Sequence, residues 1–441
     1  MRWRWVLIGV GGPLLLAASG VIFYHATLYP AGPPQRGTLA LVGATVLTGP
    51  ELGPQPDATV LIRDGVIIEV GPAGTVPAPS DATVVDLRGY TVLPGLIDLH
   101  THFGSPDLEA RQQPGPTTLP RMLLDTVRFA PGHRRAALEH GVTTVRNLGD
   151  EHRWIMDLRR QINDGTLEGP RVFASGPLFT AAGGHPIATF GVDTESDVVR
   201  VPATPYQARQ MVRELATGDD RVDLIKVVQD RGGPNRALQP ITQSVLDAIV
   251  AEAHANRLMV AAHWGTFTDL QELLHAGVDE LEHVDSRDLL GGWPDELLKE
   301  LVERKVPIAA TLTISEAALP PDVMPEVMQV LRQRVNEFHA ANGRIVVGSD
   351  AAHPGVRFGA GVHRELELLV ESGLAPRQAL QAATVDAARV LGTDRLGTVA
   401  VGRAADLLAV RGDPSTDIAA IREVGLVFRD GRLVVDRRTK D

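Results

Sequence analysis

The sequence predicts a mixed α/β fold: a (β/α)8 TIM-type barrel, a small β-sandwich domain built from both chain ends, and an N-terminal membrane anchor or signal segment before them. Three observations predict it. Short apolar runs alternate with helix-patterned stretches through the middle of the chain. Two Asp-Gly hairpin signals lie near opposite ends. The chain starts with a basic pair followed by a long, nearly uncharged apolar run.

That start, "MRWRWVLIGVGGPLLLAASGVIFYH", places Arg2 and Arg4 ahead of an apolar run from Trp5 to Tyr24. The run has about the length that crosses a bilayer. Early arginines favour a cytoplasmic N-terminus, with Trp3, Trp5 and Tyr24 as interfacial residues. A cleaved signal peptide is the rival reading, because Ala17-Ala18-Ser19 resembles a cleavage site. A buried globular helix fits poorly with Gly11-Gly12-Pro13. Either favoured reading exports the rest: anchored outside the cytoplasm if uncleaved, secreted or periplasmic if cleaved. "LYPAGPPQRG" then reads as a linker.

"VLIRDGVIIEVG" and "LVFRDGRLVVD" each set Asp-Gly between β-rich runs, a strong hairpin signal. More short β segments flank both, so one small domain assembled from the two ends is expected. Between them the candidate strands are "GLIDLH", "GVTTVRNL", "RVFASG", "VDLIKVV", "LMVAAHW", "DELEHV", "VPIAATL" and "RIVVGSD". Helical stretches such as "TPYQARQMVRELATG", with Thr204 as N-cap and Pro205 at the first helical position, separate them. Eight strands is the number that closes a parallel barrel, whose chemistry sits at the strands' C-terminal ends. An open doubly wound sheet is the alternative. The resulting divisions are 1–30 for the anchor or signal, 37–92 and 391–441 for the β domain, and 93–390 for the barrel.

Composition narrows the function. A net charge of −11 argues against nucleic acid, whose phosphates need a basic face. The 441 residues include no cysteine, which excludes disulfides, thiolate metal sites and a cysteine nucleophile. A homo-oligomer is compatible with the sequence but not indicated by it.

"IDLHTHF" raises the question of chemistry. Side chains alternate along a strand, so His100 and His102 point to one side and can reach one metal ion; Asp98 shares that face. A His-x-His pair alone is weak evidence, since histidine pairs occur by chance. Lys226 adds to it: it lies inside the apolar strand "DLIKVV", where a charged amine must be paired, neutralised or chemically changed. A buried ion pair with a carboxylate would equally explain it. His263, His283 and Asp350 each close a candidate strand. Imidazole and carboxylate are common zinc ligands.

These residues, with "GYTVLPGLIDLHTHF", "GVTTVRNLGD", "LIKVV", "VAAHWGT", "AGVDELEHVD", "VVGSDAAHPG", "HRELELLVESGL" and "LGTVAVGRAADLLAV", resemble the amidohydrolase superfamily of metal-dependent hydrolases. The resembled branch is the binuclear one with a carboxylated lysine, and the members most similar are imidazolonepropionase-like and Xaa-Pro dipeptidase-like. The resemblance implies two divalent ions, zinc by default. His100 and His102 would bind the more buried ion, and His263 and His283 the more exposed one. Lys226, carboxylated by CO2, would bridge them, which answers its burial. Asp350 would contact the buried ion and move the proton. The implied reaction is attack of a metal-bridging hydroxide on a small amide, such as a dipeptide or N-acyl amino acid. A lactone, cyclic amide or phosphotriester is the alternative for the same centre, and a non-catalytic scaffold is disfavoured by the complete set.

Imidazolonepropionase lacks the lysine of the fourth strand, so Lys226 argues against that activity. "LFTAAGGHP" resembles the branch's Gly-Gly-His loop and makes His185 a candidate for holding the substrate or its oxyanion, beside the reading of a surface histidine. Arg231 and Arg357 lie on loops facing the site and are candidates for gripping a substrate carboxylate. "VVQDRGGPNRAL" lacks the tyrosine expected there of a dipeptidase. His353 has no evident place among the ligands.

Overall fold

The structure, a computed structural model, describes residues 28–105, 108, 119–233, 235–284 and 286–438. Its β domain is one sheet drawn from both parts of the chain. The strand order is Arg432–Asp436, Val424–Arg429, Leu407–Arg411, Tyr90–Pro94, Thr38–Thr48, Gly53–Arg63 and Val66–Pro72, with Thr83–Asp86 also pairing to Thr38–Thr48. Both Asp-Gly pairs make the hairpin turns that the sequence announces. Asp64 and Gly65 (φ 51° and 76°) turn one, and Asp430 and Gly431 (φ 47° and 71°) the other. Positive φ at both central positions is what a type I′ turn requires. The two turns lie against each other: a Cβ on Gly65 would stand 3.0 Å from the Asp430 carbonyl oxygen. The two ends share one domain because Leu407–Arg411 pairs antiparallel with Tyr90–Pro94 in this sheet.

Parallel strands form the barrel. In order they are Leu96–Thr101, Val142–Asn147, Arg171–Ala174, Leu224–Gln229, Met259–Trp264, Glu280–Glu282, Ile308–Ala309 and Ile345–Val346. The first three pair with one another, as do the last five. The arcs meet where Asp223 N–H donates to the Ala174 carbonyl at 2.9 Å, and where Leu99 N–H donates to Val347 and Asp350 N–H to His100, at 2.9 and 2.8 Å. A short strand after the third, Leu178–Phe179, pairs alongside the fourth. The loop that carries His185 therefore starts from the sheet itself.

The intervening helices follow their sequence signals. Pro205–Ala216 is capped by Thr204, whose Oγ1 accepts from Gln207 N–H. Phe267–Ala276 has a capping box between Thr266 and Asp269 and ends at Gly277 in the left-handed conformation. Leu246 and Ile249 of helix Gln243–Ala255, Leu270 and Leu273 of Phe267–Ala276, and Leu301 of Asp295–Arg304 are buried. Each such side chain contributes roughly 1.5–3 kcal/mol by leaving water.

The N-terminal expectation is corrected. The anchor or signal segment falls on residues 1–27, outside the described residues, and among the described residues no helix is long and apolar enough to cross a membrane. Membrane attachment, and the exported location inferred from the same segment, therefore lose their support. Length and hydropathy report what a segment would cost in water, not what helix it forms. The first three residues of the stretch read as a linker, 28–30, pack on the barrel. The buried Arg134 guanidinium donates to the carbonyls of Leu28 and Tyr29, together with those of Phe129 and Glu168. Pro30 bridges to Leu167, and Arg135 lies over the Tyr29 ring at 4.8 Å.

Candidate metal centre

Strand alternation and two special backbone conformations gather the site at the C-terminal end of the barrel. His100, on the first strand, and His102, just past its end, have ring centroids 5.3 Å apart. Alternation alone would send Glu282 and His283 to opposite faces. His283 instead adopts φ 70° just past its strand, and its ring comes within 4.9 Å of both His100 and His263. Asp350 does the same at φ 60°. Left-handed backbone at residues other than glycine costs of order 1 kcal/mol and is typical of functional positions.

Three of the four imidazoles have one nitrogen hydrogen-bonded from behind. Nδ1 of His100 lies 2.7 Å from Glu282 Oε2, that of His102 3.2 Å from the Gly149 carbonyl, and that of His283 2.7 Å from Thr311 Oγ1. These three keep Nε2 for the cavity. His263 is reversed, with Nε2 facing Asp230 Oδ2 at 3.7 Å, and so offers Nδ1. Such outer partners set tautomer and ring orientation in metal-binding histidines. Burial holds His100 and His283 well below the ordinary imidazole range, so both are neutral and have a lone pair to donate.

Asp350 Oδ1 stands 3.4, 3.3 and 3.2 Å from His100 Nε2, His102 Nε2 and His353 Nδ1. Burial pushes its carboxyl up, but His353, His100 and His102 outweigh that and hold it well below the usual range. Despite those neighbours, Oδ1 makes no hydrogen bond of good geometry. Donors about 2.05 Å from a tetrahedral zinc stand about 3.3 Å apart, so the separations suit ligation better than hydrogen bonding. Lys226 Nζ is likewise buried without a hydrogen bond, 3.9 Å from Glu282 Oε1. Burial lowers its pKa, against the pull of Glu282 and Asp350. Two orphaned buried atoms among clustered imidazoles fit a metal centre, and two groups have ligand atoms close enough to hold an ion: His100, His283 and Asp350, and His102, Asp350 and His353.

The remaining predicted residues separate. His185 joins the cluster: its ring stacks on His263 at 5.4 Å and 10°, and Nδ1 lies 2.7 Å from Thr189 Oγ1. Burial and His263 push it down to about 3. The Arg231 guanidinium is held by Asp269 and Glu272. Arg357 is exposed and lines a cavity of about 240 Å³ with His133, His140 and Phe358. Asp98 does not join the cluster. It accepts from the Ser349 hydroxyl at 2.5 Å and the Ser349 and His100 amides, and braces the eighth strand to the first.

Sequence reasoning missed the support beneath the site. Arg146 donates to both oxygens of Glu280 and, at 3.1 Å, to Glu282 Oε1, all fully buried. Burial raises Glu280 to about 7 against the opposing pull of Arg146. The argument applied to Lys226 would have found them, since "TTVRNL" and "DELEH" also set charges inside apolar strands.

A parallel barrel that carries this constellation at its strand ends defines a metal-dependent hydrolase. The chain belongs to the amidohydrolase family, whose model matches residues 91–434. It is a metal-dependent amidohydrolase acting on carbon–nitrogen bonds. Ochratoxinase of Aspergillus niger is 26% identical over 86% of this chain and 83% of its own length. Imidazolonepropionase of Symbiobacterium thermophilum is 24% identical over 92% and 94%. A solved structure of an Xaa-Pro dipeptidase with bound methionine in the active site is 26% identical, with a TM-score of 0.75, covering 90% of this chain and 99% of that one.

Proposed function

We propose that this amidohydrolase cleaves peptide-like amide bonds of small substrates, dipeptides or N-acyl amino acids. In this reading two divalent ions, zinc in the first instance, are held by His100, His102, Lys226, His263, His283 and Asp350, with Lys226 carboxylated. The observation that carries it is the buried Lys226 amine without a hydrogen bond, set among imidazoles whose outer nitrogens are already engaged. A carbamate there would turn an orphaned donor into an anionic oxygen ligand. The dipeptidase likeness supports the choice of substrate class.

When bound, such ions supply Lewis acidity and lower the pKa of water toward neutrality. The chain's own residues do the rest. Asp350, kept ionised by its imidazole neighbours, is placed to take a proton and return it to the leaving amine. His185, neutral and stacked on His263, is placed to donate to a substrate oxygen. Arg357, exposed on the loop seven residues past Asp350, is the candidate we retain for a substrate carboxylate.

The test is amino-acid release from a panel of dipeptides and N-acyl amino acids, with zinc and bicarbonate supplied and Asp350→Asn as control. Turnover by the wild type, with the control slower by about 10²–10⁴-fold, supports the reading. Silence across the panel with two ions bound moves the substrate to lactones, cyclic amides or phosphotriesters.

A further inference from the structure

His353 is not used by the ion set proposed above, yet it stands inside the cluster. Its Nδ1 lies 3.2 Å from Asp350 Oδ1 and 3.0 Å from the Asp350 carbonyl. Its ring meets that of His102 edge-on at 5.5 Å, and His102 Nε2 is 3.3 Å from the same Oδ1. The ligand atoms of His102, Asp350 and His353 all fall within 4.8 Å of one another, a second group that shares Asp350 with the deeper His100 and His283. Two imidazoles and a carboxylate are a zinc-binding set, and both nitrogen–oxygen separations match the edge of about 3.3 Å in a zinc tetrahedron. The two groups differ in access. The His353 side chain is 28% exposed, whereas His100 and His283 are buried.

We propose that His102, Asp350 and His353 form an outer divalent-ion position whose occupation inhibits the enzyme. The inference rests on the metal-dependent reading above. An imidazole nitrogen lends its lone pair to one ion at a time, so an ion in the outer position withdraws His102 from the inner one. It also engages the carboxylate assigned to proton transfer. The outer position is the weaker one. It has three protein ligands, and filling it displaces the hydrogen bond that His353 now makes to the Asp350 carbonyl. It fills when metal is in excess, and activity then falls.

The test compares wild type, His353→Asn and His353→Cys at rising zinc and, separately, rising cobalt. The chain has no cysteine, so thiolate-to-cobalt charge-transfer absorption can arise only from the introduced side chain. Wild type is expected to lose activity once zinc exceeds two equivalents. His353→Asn, measured relative to its own activity at two equivalents, should need at least about tenfold more zinc for the same fractional inhibition. His353→Cys should restore inhibition, and its charge-transfer band should grow after the first two equivalents of cobalt. Equal inhibition of all three proteins, or no band in His353→Cys, overturns the outer position while the first two ions remain bound. Absence of those two ions from every protein overturns the metal-dependent reading and this inference with it.

Discussion

Glu282 lies 2.7 Å from Nδ1 of His100 with neither side chain reached by water, at 0% and 2% exposure. Its other oxygen faces Arg146 at 3.1 Å and the Lys226 amine at 3.9 Å. One carboxylate thus orients the first histidine of the centre, neutralises the charge beneath it and borders the lysine.

Glu282→Gln keeps the shape but turns a donor toward one of its partners, Arg146 or His100. Loss of such a partner costs about 10–100-fold in metal affinity. Competition for zinc with a chromophoric chelator measures it, and unchanged affinity would mean that Glu282 does not orient His100 for a metal.

Lys226→Ala removes the proposed bridge. The expected product is a folded protein that holds one ion per chain instead of two and has almost no turnover. Metal analysis after dialysis decides the matter, because retention of both ions would sink the bridging role.

His185→Gln leaves the ligand set intact. If His185 donates to the substrate oxygen, kcat/KM falls by about 10–100-fold, which is roughly 1.4–2.7 kcal/mol of transition-state stabilisation. The ion content should stay at the wild-type value. A variant with wild-type kinetics would return His185 to the status of a loop histidine.

The pH dependence of stability has an identifiable contributor away from the centre. Burial, with His140 adding to it, pushes His363 down to about 4, and its Nε2 bonds the His140 carbonyl at 2.8 Å. A depressed imidazole means that the unfolded chain takes up the proton first, near 6.5. The contribution is therefore fully present above about 6.5 and is lost as pH falls toward 4. Between pH 7 and pH 5 it amounts to about 2 kcal/mol. Denaturant unfolding of chelator-treated protein at those two pH values, for wild type and His363→Gln, measures it. An identical drop in both proteins would remove His363 as the cause.

Local signals carried much of this protein. Alternating apolar runs mark the eight barrel strands, Asp-Gly pairs mark the two hairpins, and Thr204 marks a helix start. The placement of His100, His102, His263, His283 and Asp350 at strand ends was also legible. What the sequence could not weigh was competition for a side chain. Arg231 stands on a loop near the site and was a candidate for substrate binding, but Asp269 and Glu272, dozens of residues away in sequence, engage it.

The sequence by itself determined the residue types and the period that brings them to one end of a barrel, because strand and helix periodicities are local properties of the chain. Tertiary structure decided which nitrogen each histidine offers, which buried charges neutralise one another beneath Lys226, and that residues 28–30 pack on the barrel. Those choices depend on distances between segments far apart in sequence, and on burial, which no stretch of residues possesses until the others surround it.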